Sequence, residues 1–352
     1  MIGATAGIWI WVSHYWAALA IAGTCLSLLL FLFLFLGRYI RIALNIFTDT
    51  PPPLSMGPRD FQILRGEEVH FRSFDGASLR GMWLRAPDRL RRRGTIVFCH
   101  EFGSDMYSCA RYARPVVEAG FDLFTFDFRG HGESSSPRGY RPLQWPSDKE
   151  LSDVLGATAY VGDALASEGR SPRIGLFGIS RGAGSAILAA SSDQNIACLV
   201  CDGAFSTREI LVALMKRWAY IFAARLTVAH ENWPDSVWHM LLGWMMCYAH
   251  GRLGRRFPSV RKAVANMVPR PIMFIHGERD SYIRPDQTEI LYQAAPEPKY
   301  LWIVPGAKHN QSAIIAPKEY AARTSAFFSK YLAGEEVSQS EIAGESMRYH
   351  VA

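Results

Sequence analysis

The longest apolar pattern in the chain comes first. From Ala17 to Leu36 no side chain carries a charge, and the run ends in Leu28-Leu-Leu-Phe-Leu-Phe-Leu-Phe-Leu36. At about 1.5 Å per residue, a helix over this stretch spans the roughly 30 Å hydrocarbon core of a bilayer. Trp9, Trp11, Tyr15 and Trp16 gather at one end and Tyr39 stands at the other, where amphipathic rings favour the two interfaces. A cleavable signal peptide fits poorly, because no basic segment precedes the run and no small-x-small site follows closely. Residues 1–47 are therefore expected to form one transmembrane helix with its flanks. Arg38 and Arg41 follow the span and only the α-amino group precedes it, so the positive-inside rule places the following domain in the cytoplasm. Residues 48–67, with Pro51-Pro52-Pro53, read as an extended linker.

Beyond residue 67 the period changes. Val69–Phe74 and Leu79–Arg85 flank Asp75-Gly76 as two strands with a tight turn. Thr95–Cys99, Phe121–Phe128, Arg173–Ile179, Ile196–Cys201, Ile272–Ile275 and Tyr300–Val304 are short apolar runs suited to buried strands. Helical spacing covers Met106–Ala119, Leu151–Glu168, Gly182–Ser191, Pro285–Ala295 and Pro317–Leu332. Strands alternating with helices predict an α/β fold over residues 68–332, a mostly parallel sheet covered on both faces. Residues 333–352 read as a polar, poorly ordered tail.

One stretch breaks the alternation. Residues of about 205–268 hold Met215, Trp218, Trp233, Trp238, Met240, Trp244, Met245 and Met246 among basic residues. They are expected to form a helical cap insertion over the active site, with a share of the aromatic residues facing lipid as the sharper version. Lys216, Arg217 and Arg225 argue against a second span, since a charge costs a few kcal/mol at mid-bilayer.

Composition narrows the function classes. The chain has 352 residues, 49% of them hydrophobic, and a net charge of +6. No nucleic-acid-binding motif accompanies the basic excess, so no nucleic-acid partner is expected. The runs Arg91–Arg93 and Arg252–Arg256 suit solvated surface or anionic lipid heads. Cys198 and Cys201 are spaced C-x-x-C, yet both lie in a strand-like run without a second pair, which reads as core rather than zinc.

The candidate chemistry lies in turns after strands. Gly178-Ile179-Ser180-Arg181-Gly182 matches G-x-S-x-G between a predicted strand and a predicted helix, where a strained turn presents a serine hydroxyl. Serine needs a base, and His309 follows the last predicted strand. Asp280 follows the strand before it, with Asp202 as the alternative acid. The order Ser, Asp, His is the one found in α/β-hydrolases. His100, His131 and His276 read as loop residues that satisfy backbone groups, and Asp127 as a structural hydrogen-bond partner. His100-Glu101 lacks a second histidine at the metalloprotease spacing, and no metal or organic cofactor is implied.

With these motifs in place, the chain resembles the α/β-hydrolase superfamily, in its serine aminopeptidase, esterase and lipase-like group. His100-Glu101-Phe102-Gly103 resembles the family's H-G-x-G loop, and Phe126–Ser134 its F-D-x-R-G-x-G-x-S element. His276-Gly277-Glu278-Arg279-Asp280 resembles its acid loop. The resemblance covers about residues 68–332. It implies Ser180 as nucleophile, His309 as base, Asp280 as acid, and the backbone N–H groups of Phe102 and Arg181 as oxyanion hole. Glu101 replaces the family's usual glycine, which would narrow or charge the entrance. The Arg181 side chain either makes a structural salt bridge or meets an anionic substrate group. The expected activity is cleavage of an ester or thioester of an apolar or lipid-like acyl substrate through an acyl-enzyme. Two alternatives stay open, a serine peptidase and a catalytically silent membrane scaffold.

Overall fold

The computed structural model describes residues 2–48, 65–87, 90, 92–222 and 233–344. Most of the expected linker, residues 223–232 of the expected insertion and residues 345–352 of the tail lie outside these. The chain divides into two compact units. One is helix α1 (Ile2–Thr48) with Trp233–Ala249, and the other holds the rest of the described chain.

Helix α1 is longer than a membrane needs. Its segment His14–Asn45 is long and apolar enough to cross one, and its most apolar stretch has no buried share. Phe31, Phe33 and Leu34 are among its exposed side chains. The same unit holds most of α7 (Asp235–Leu253). Trp238, Leu241, Leu242, Met245, Met246 and Ala249 are buried at helical spacing, while Met240, Trp244 and Tyr248 form an exposed stripe.

The second unit is built on an eight-stranded sheet ordered β1-β2-β4-β3-β5-β6-β7-β8. The strands are β1 (Glu67–Arg72), β2 (Ser78–Leu84), β3 (Thr95–Cys99), β4 (Asp122–Phe126), β5 (Ile174–Ile179), β6 (Ile196–Asp202), β7 (Ile272–Gly277) and β8 (Lys299–Val304). β1 and β2 are antiparallel to their neighbours, and β4 onward run parallel. Registers such as Cys99↔Gly178, Ile179↔Asp202 and Gly277↔Val304 bring the C-terminal strand ends level. Loops leaving that edge are where open α/β sheets place ligands.

Both faces are covered because the central strands are apolar on both sides; β3, β4 and β5 are buried throughout. On one face α4 (Asp148–Ser167), α5 (Arg181–Ala190), α8 (Val260–Asn266) and α9 (Pro285–Ala294) enclose Val97, Leu176, Ile187 and Leu199. On the other, α2 (Cys109–Tyr112), α3 (Arg114–Glu118), α10 (Ser312–Ile315) and α11 (Pro317–Tyr331) enclose Phe98, Phe177, Val200 and Phe328. The Phe177 ring lies 5.9 Å from Phe98, 6.2 Å from Tyr320 and 6.0 Å from Phe328. Burying such a side chain is worth about 1.5–3 kcal/mol. Cys198 and Cys201 sit three apart in β6 and so fall in opposite cores, which removes any pairing between them.

Three expectations change. The helix expected over Met106–Ala119 is a 3-10 turn, Met106–Ser108, followed by the short α2 and α3. Pro115 offers no N–H and its ring opposes the carbonyl four residues back, so one continuous helix cannot form. Within the expected insertion, α6 (Thr207–Phe222) and α7 are helical, but α8 belongs to the sheet's own cover, with Val260 and Val264 in the core beside α5 and α9. The tail is ordered as far as α12 (Gln339–Ala343). Ser338 and Glu341 form a capping box, Ile342 is 0% exposed, and Arg323 donates to the Ala343 carbonyl. A single buried isoleucine is too sparse a signal for a periodicity to show.

Candidate active site

The turn from β5 into α5 holds Ser180 at φ 51°, ψ −115°, one of two non-glycine residues with positive φ among those described. Such a conformation costs about 1–3 kcal/mol and persists only where the surroundings impose it. Here they do. The Ser180 N–H donates to the Asp202 carbonyl at 2.7 Å, and the Gly184 N–H donates to the Ser180 carbonyl at 3.2 Å. The flanking glycines permit the close approach: a Cβ on Gly182 would stand 2.2 Å from the Cys99 carbonyl oxygen, and one on Gly178 2.5 Å from Ala183 Cα.

Three residues expected from the sequence meet at this edge. Ser180 Oγ lies 3.0 Å from Nε2 of His309, and Nδ1 of His309 lies 2.6 Å from Oδ2 of Asp280. With Nδ1–H donated to the carboxylate, Nε2 is left to accept the serine proton. The second positive-φ residue, Asn310 at 57°, turns the chain directly after His309. Oδ1 of Asp280 accepts from the Tyr282 and Ile283 N–H groups, each at 2.9 Å. Burial alone would raise the Asp280 carboxyl, but hydrogen bonds from His276 and His309 outweigh it and hold the pKa at about 2. The group is thus an anion throughout the physiological range.

Asp202 does not join them. It is buried, accepts from Ser312 Oγ at 3.2 Å and from the Tyr320 hydroxyl at 3.1 Å, and makes no hydrogen bond to His309 among the described residues. Burial pushes its pKa up to about 7.

Phe102 follows the β3 turn and Arg181 opens α5, whose first-turn N–H groups have no intrahelical partner. The two residues are neighbours, with the Arg181 guanidinium 5.3 Å from the Phe102 ring centroid and 4.9 Å from that of Phe128. Arg181 is 0% exposed, donates from Nη1 to the Leu143 carbonyl at 3.2 Å and stands 3.7 Å from Glu150. Its side chain therefore makes the structural salt bridge. Glu101 is likewise buried, accepts from Ser108 Oγ at 3.0 Å, and is held above the usual carboxylate range by burial. At 4% exposure its carboxylate presents little charge to solvent.

His100 and Asp127 brace the surrounding loops. His100 Nδ1 donates to the Glu101 carbonyl at 2.7 Å, and its Nε2 accepts from the Phe128 N–H at 3.0 Å. Burial and then the neighbouring His131 and Arg181 keep it neutral. Asp127 accepts from the Met106 and Glu133 N–H groups. His131 bonds within its own loop, through Nδ1 and the Arg129 carbonyl. His276, expected to satisfy a backbone group, does face the Ile283 carbonyl with Nε2 at 2.8 Å, but the same nitrogen also lies 3.1 Å from Oδ2 of Asp280, a contact the sequence reading did not give it. The signal was the four-residue spacing within His276–Asp280. Among the described residues no cluster of His, Cys, Asp and Glu could hold a metal ion.

Comparison with known proteins agrees with the fold. The profile of the alpha/beta hydrolase family matches residues 96–323. The chain is 25% identical over 275 residues to the uncharacterized protein YfhR of Escherichia coli (strain K12), covering 76% of this chain and 81% of that one. Among solved structures, the esterase Pf2001 of Pyrococcus furiosus superposes with a TM-score of 0.56 at 22% identity, over 81% of this chain and 98% of the esterase. The hypothetical protein PA2218 of Pseudomonas aeruginosa does so with a TM-score of 0.53 at 22% identity, over 81% and 97%. A parallel sheet with a strained serine turn at its centre and a profile match across most of the sheet have one common source: the chain belongs to the alpha/beta hydrolase family.

Proposed function

We propose that this protein is a membrane-anchored serine hydrolase that cleaves a carboxylic ester or thioester of an apolar or lipid-like acyl chain. The observation that carries the reading is the 3.0 Å approach of His309 Nε2 to the Oγ of a strained Ser180. Ser180 Oγ attacks the acyl carbonyl carbon as its proton passes to His309 Nε2. The N–H groups of Phe102 and Arg181 stabilise the oxyanion. The bond to the alcohol or thiol breaks, and that leaving group takes the proton from Nε2. Water then attacks the acyl-enzyme, gives a proton to Nε2 and releases the acid, and the proton returns to Oγ. Asp280 keeps the imidazole in the required tautomer throughout.

The apolar substrate class rests on the unit that joins α1, with its span-length apolar stretch, to α7, with its exposed Met240, Trp244 and Tyr248. Arg38 and Arg41 after the apolar stretch favour a cytoplasmic hydrolase domain. The test is fluorophosphonate labelling of detergent-solubilised protein beside Ser180→Ala, followed by acyl esters of graded length and aminoacyl amides. Labelling lost only in the variant, with turnover rising with chain length, is expected. An unlabelled but folded wild type, or turnover preserved in Ser180→Ala, sinks the proposal, and preference for aminoacyl amides replaces it with a peptidase.

A further inference from the structure

A cleft of about 510 Å³ opens on the hydrolase unit, and none of Ser180, Asp280 and His309 lines it. Its walls are the turn after β1, the loop Pro137–Tyr140, the first turn of α4 and the turn after α7. Arg129, Arg138, Lys149 and Arg255 line it with one carboxylate, Asp75. Asp75 is fully engaged, accepting from Arg129 at 2.6 and 3.0 Å and from Lys149 at 3.0 Å. Arg129 is neutralised in turn by Asp75 and by the buried Asp153 at 2.6 Å.

Arg255 is different. It is 5% exposed, and Nη2 donates to the Arg141 carbonyl at 2.8 Å, but Nε and Nη1 are buried without a hydrogen-bond partner among the described residues. Its guanidinium lies 5.0 Å from the Tyr140 ring centroid and 5.6 Å from that of Phe257, which engages its faces and leaves its edge N–H groups unmet. The nearby buried carboxylate, Glu150, already pairs with Arg181 and accepts from Tyr140 and Ser147. Two buried guanidinium groups thus share one buried carboxylate, an excess of positive charge that is costly unless an anion completes it. A buried guanidinium with unmet donors behind one wall and further cations on the others suit a tetrahedral oxyanion with several terminal oxygens better than a planar carboxylate.

We propose that this cleft is a phosphate-binding site, with Arg255 as its buried anchor and Arg138 and Lys149 beside it. The phosphate belongs either to a soluble phosphate ester or to a lipid headgroup. The test titrates the detergent-solubilised full chain with inorganic phosphate, glycerol 1-phosphate and dihexanoylphosphatidylglycerol, the last below its micelle concentration. Arg255→Gln is expected to weaken phosphate binding about tenfold or more, and Arg138→Gln severalfold. Lys262→Gln, exposed on α8, is expected to leave it unchanged. Arg138 is exposed, so its variant decides the matter should Arg255→Gln fail to fold. Absence of wild-type binding, or equal binding in Arg138→Gln and wild type, overturns the proposal, as does equal weakening in Lys262→Gln. Tighter binding of the phosphatidylglycerol than of glycerol 1-phosphate assigns the site to a lipid headgroup, and the reverse assigns it to a soluble ester.

Discussion

His276 lies with its Nε2 3.1 Å from Oδ2 of Asp280, the oxygen that the proposed base also meets. Its Nδ1 stands 2.7 Å from Thr288 Oγ1, and its Nε2 also faces the Ile283 carbonyl at 2.8 Å. Burial opposes a charge on the ring, but the Asp280 hydrogen bond and field outweigh it and raise the His276 pKa above its ordinary value. Asp280 thus contacts two imidazoles, His276 and His309.

Losing this contact should be felt at the proposed base. His276→Gln is expected to lower kcat by about tenfold with little change in KM, because Asp280 loses one of the groups that hold it in place. Steady-state kinetics beside wild type check this, and an unchanged kcat would assign His276 to structure alone.

The two buried aspartates should separate cleanly. Asp280→Asn is expected to reduce turnover by about 10³–10⁴, because the amide leaves His309 free to take the wrong tautomer. Asp202→Asn should keep turnover within a few-fold, since Asp202 holds Ser312 and Tyr320 instead. Parallel single-turnover assays with one ester discriminate the two.

Asp202 also predicts a slope of stability with pH. Its folded pKa is raised to about 7 by burial, above the ordinary carboxylate value. The folded state therefore binds the extra proton between about pH 4 and 7, and this contribution to stability falls as pH rises through that window. Melting temperatures measured from pH 4 to 8 should fall less steeply in Asp202→Asn than in wild type.

His276 loses a positive charge where Asp202 gains a negative one, and its slope has the same sign. Its raised folded pKa means that its contribution is complete below the ordinary histidine range and is lost as pH rises through the folded value. Asp280, depressed to about 2, contributes above the ordinary carboxylate value and loses its contribution only as pH falls toward 2. His276→Gln should accordingly remove part of the loss of melting temperature above neutral pH.

The docked tail should be worth measuring by deletion of one side chain. Ile342→Ala is expected to lower stability by about 2–4 kcal/mol, the usual cost of emptying a closed site, without altering turnover. Denaturant unfolding in detergent gives the number, and no loss would place α12 outside the cooperative core.

Much was legible along the chain because local chemistry repeats itself there. Strand-length apolar runs such as Thr95–Cys99 and Ile174–Ile179 must be buried on both faces, so they announce a parallel sheet. The apolar run from Ala17 to Leu36 announces a helix of membrane length for the same reason of uninterrupted character. Gly178 and Gly182 around Ser180 are readable because only glycine fits where backbones nearly touch. Pairings across long sequence separations are not carried by any local pattern. That His309 meets Asp280 rather than Asp202, that Arg181 turns inward to Glu150, and that α8 joins the sheet's cover were decided by which strand ends the register aligned.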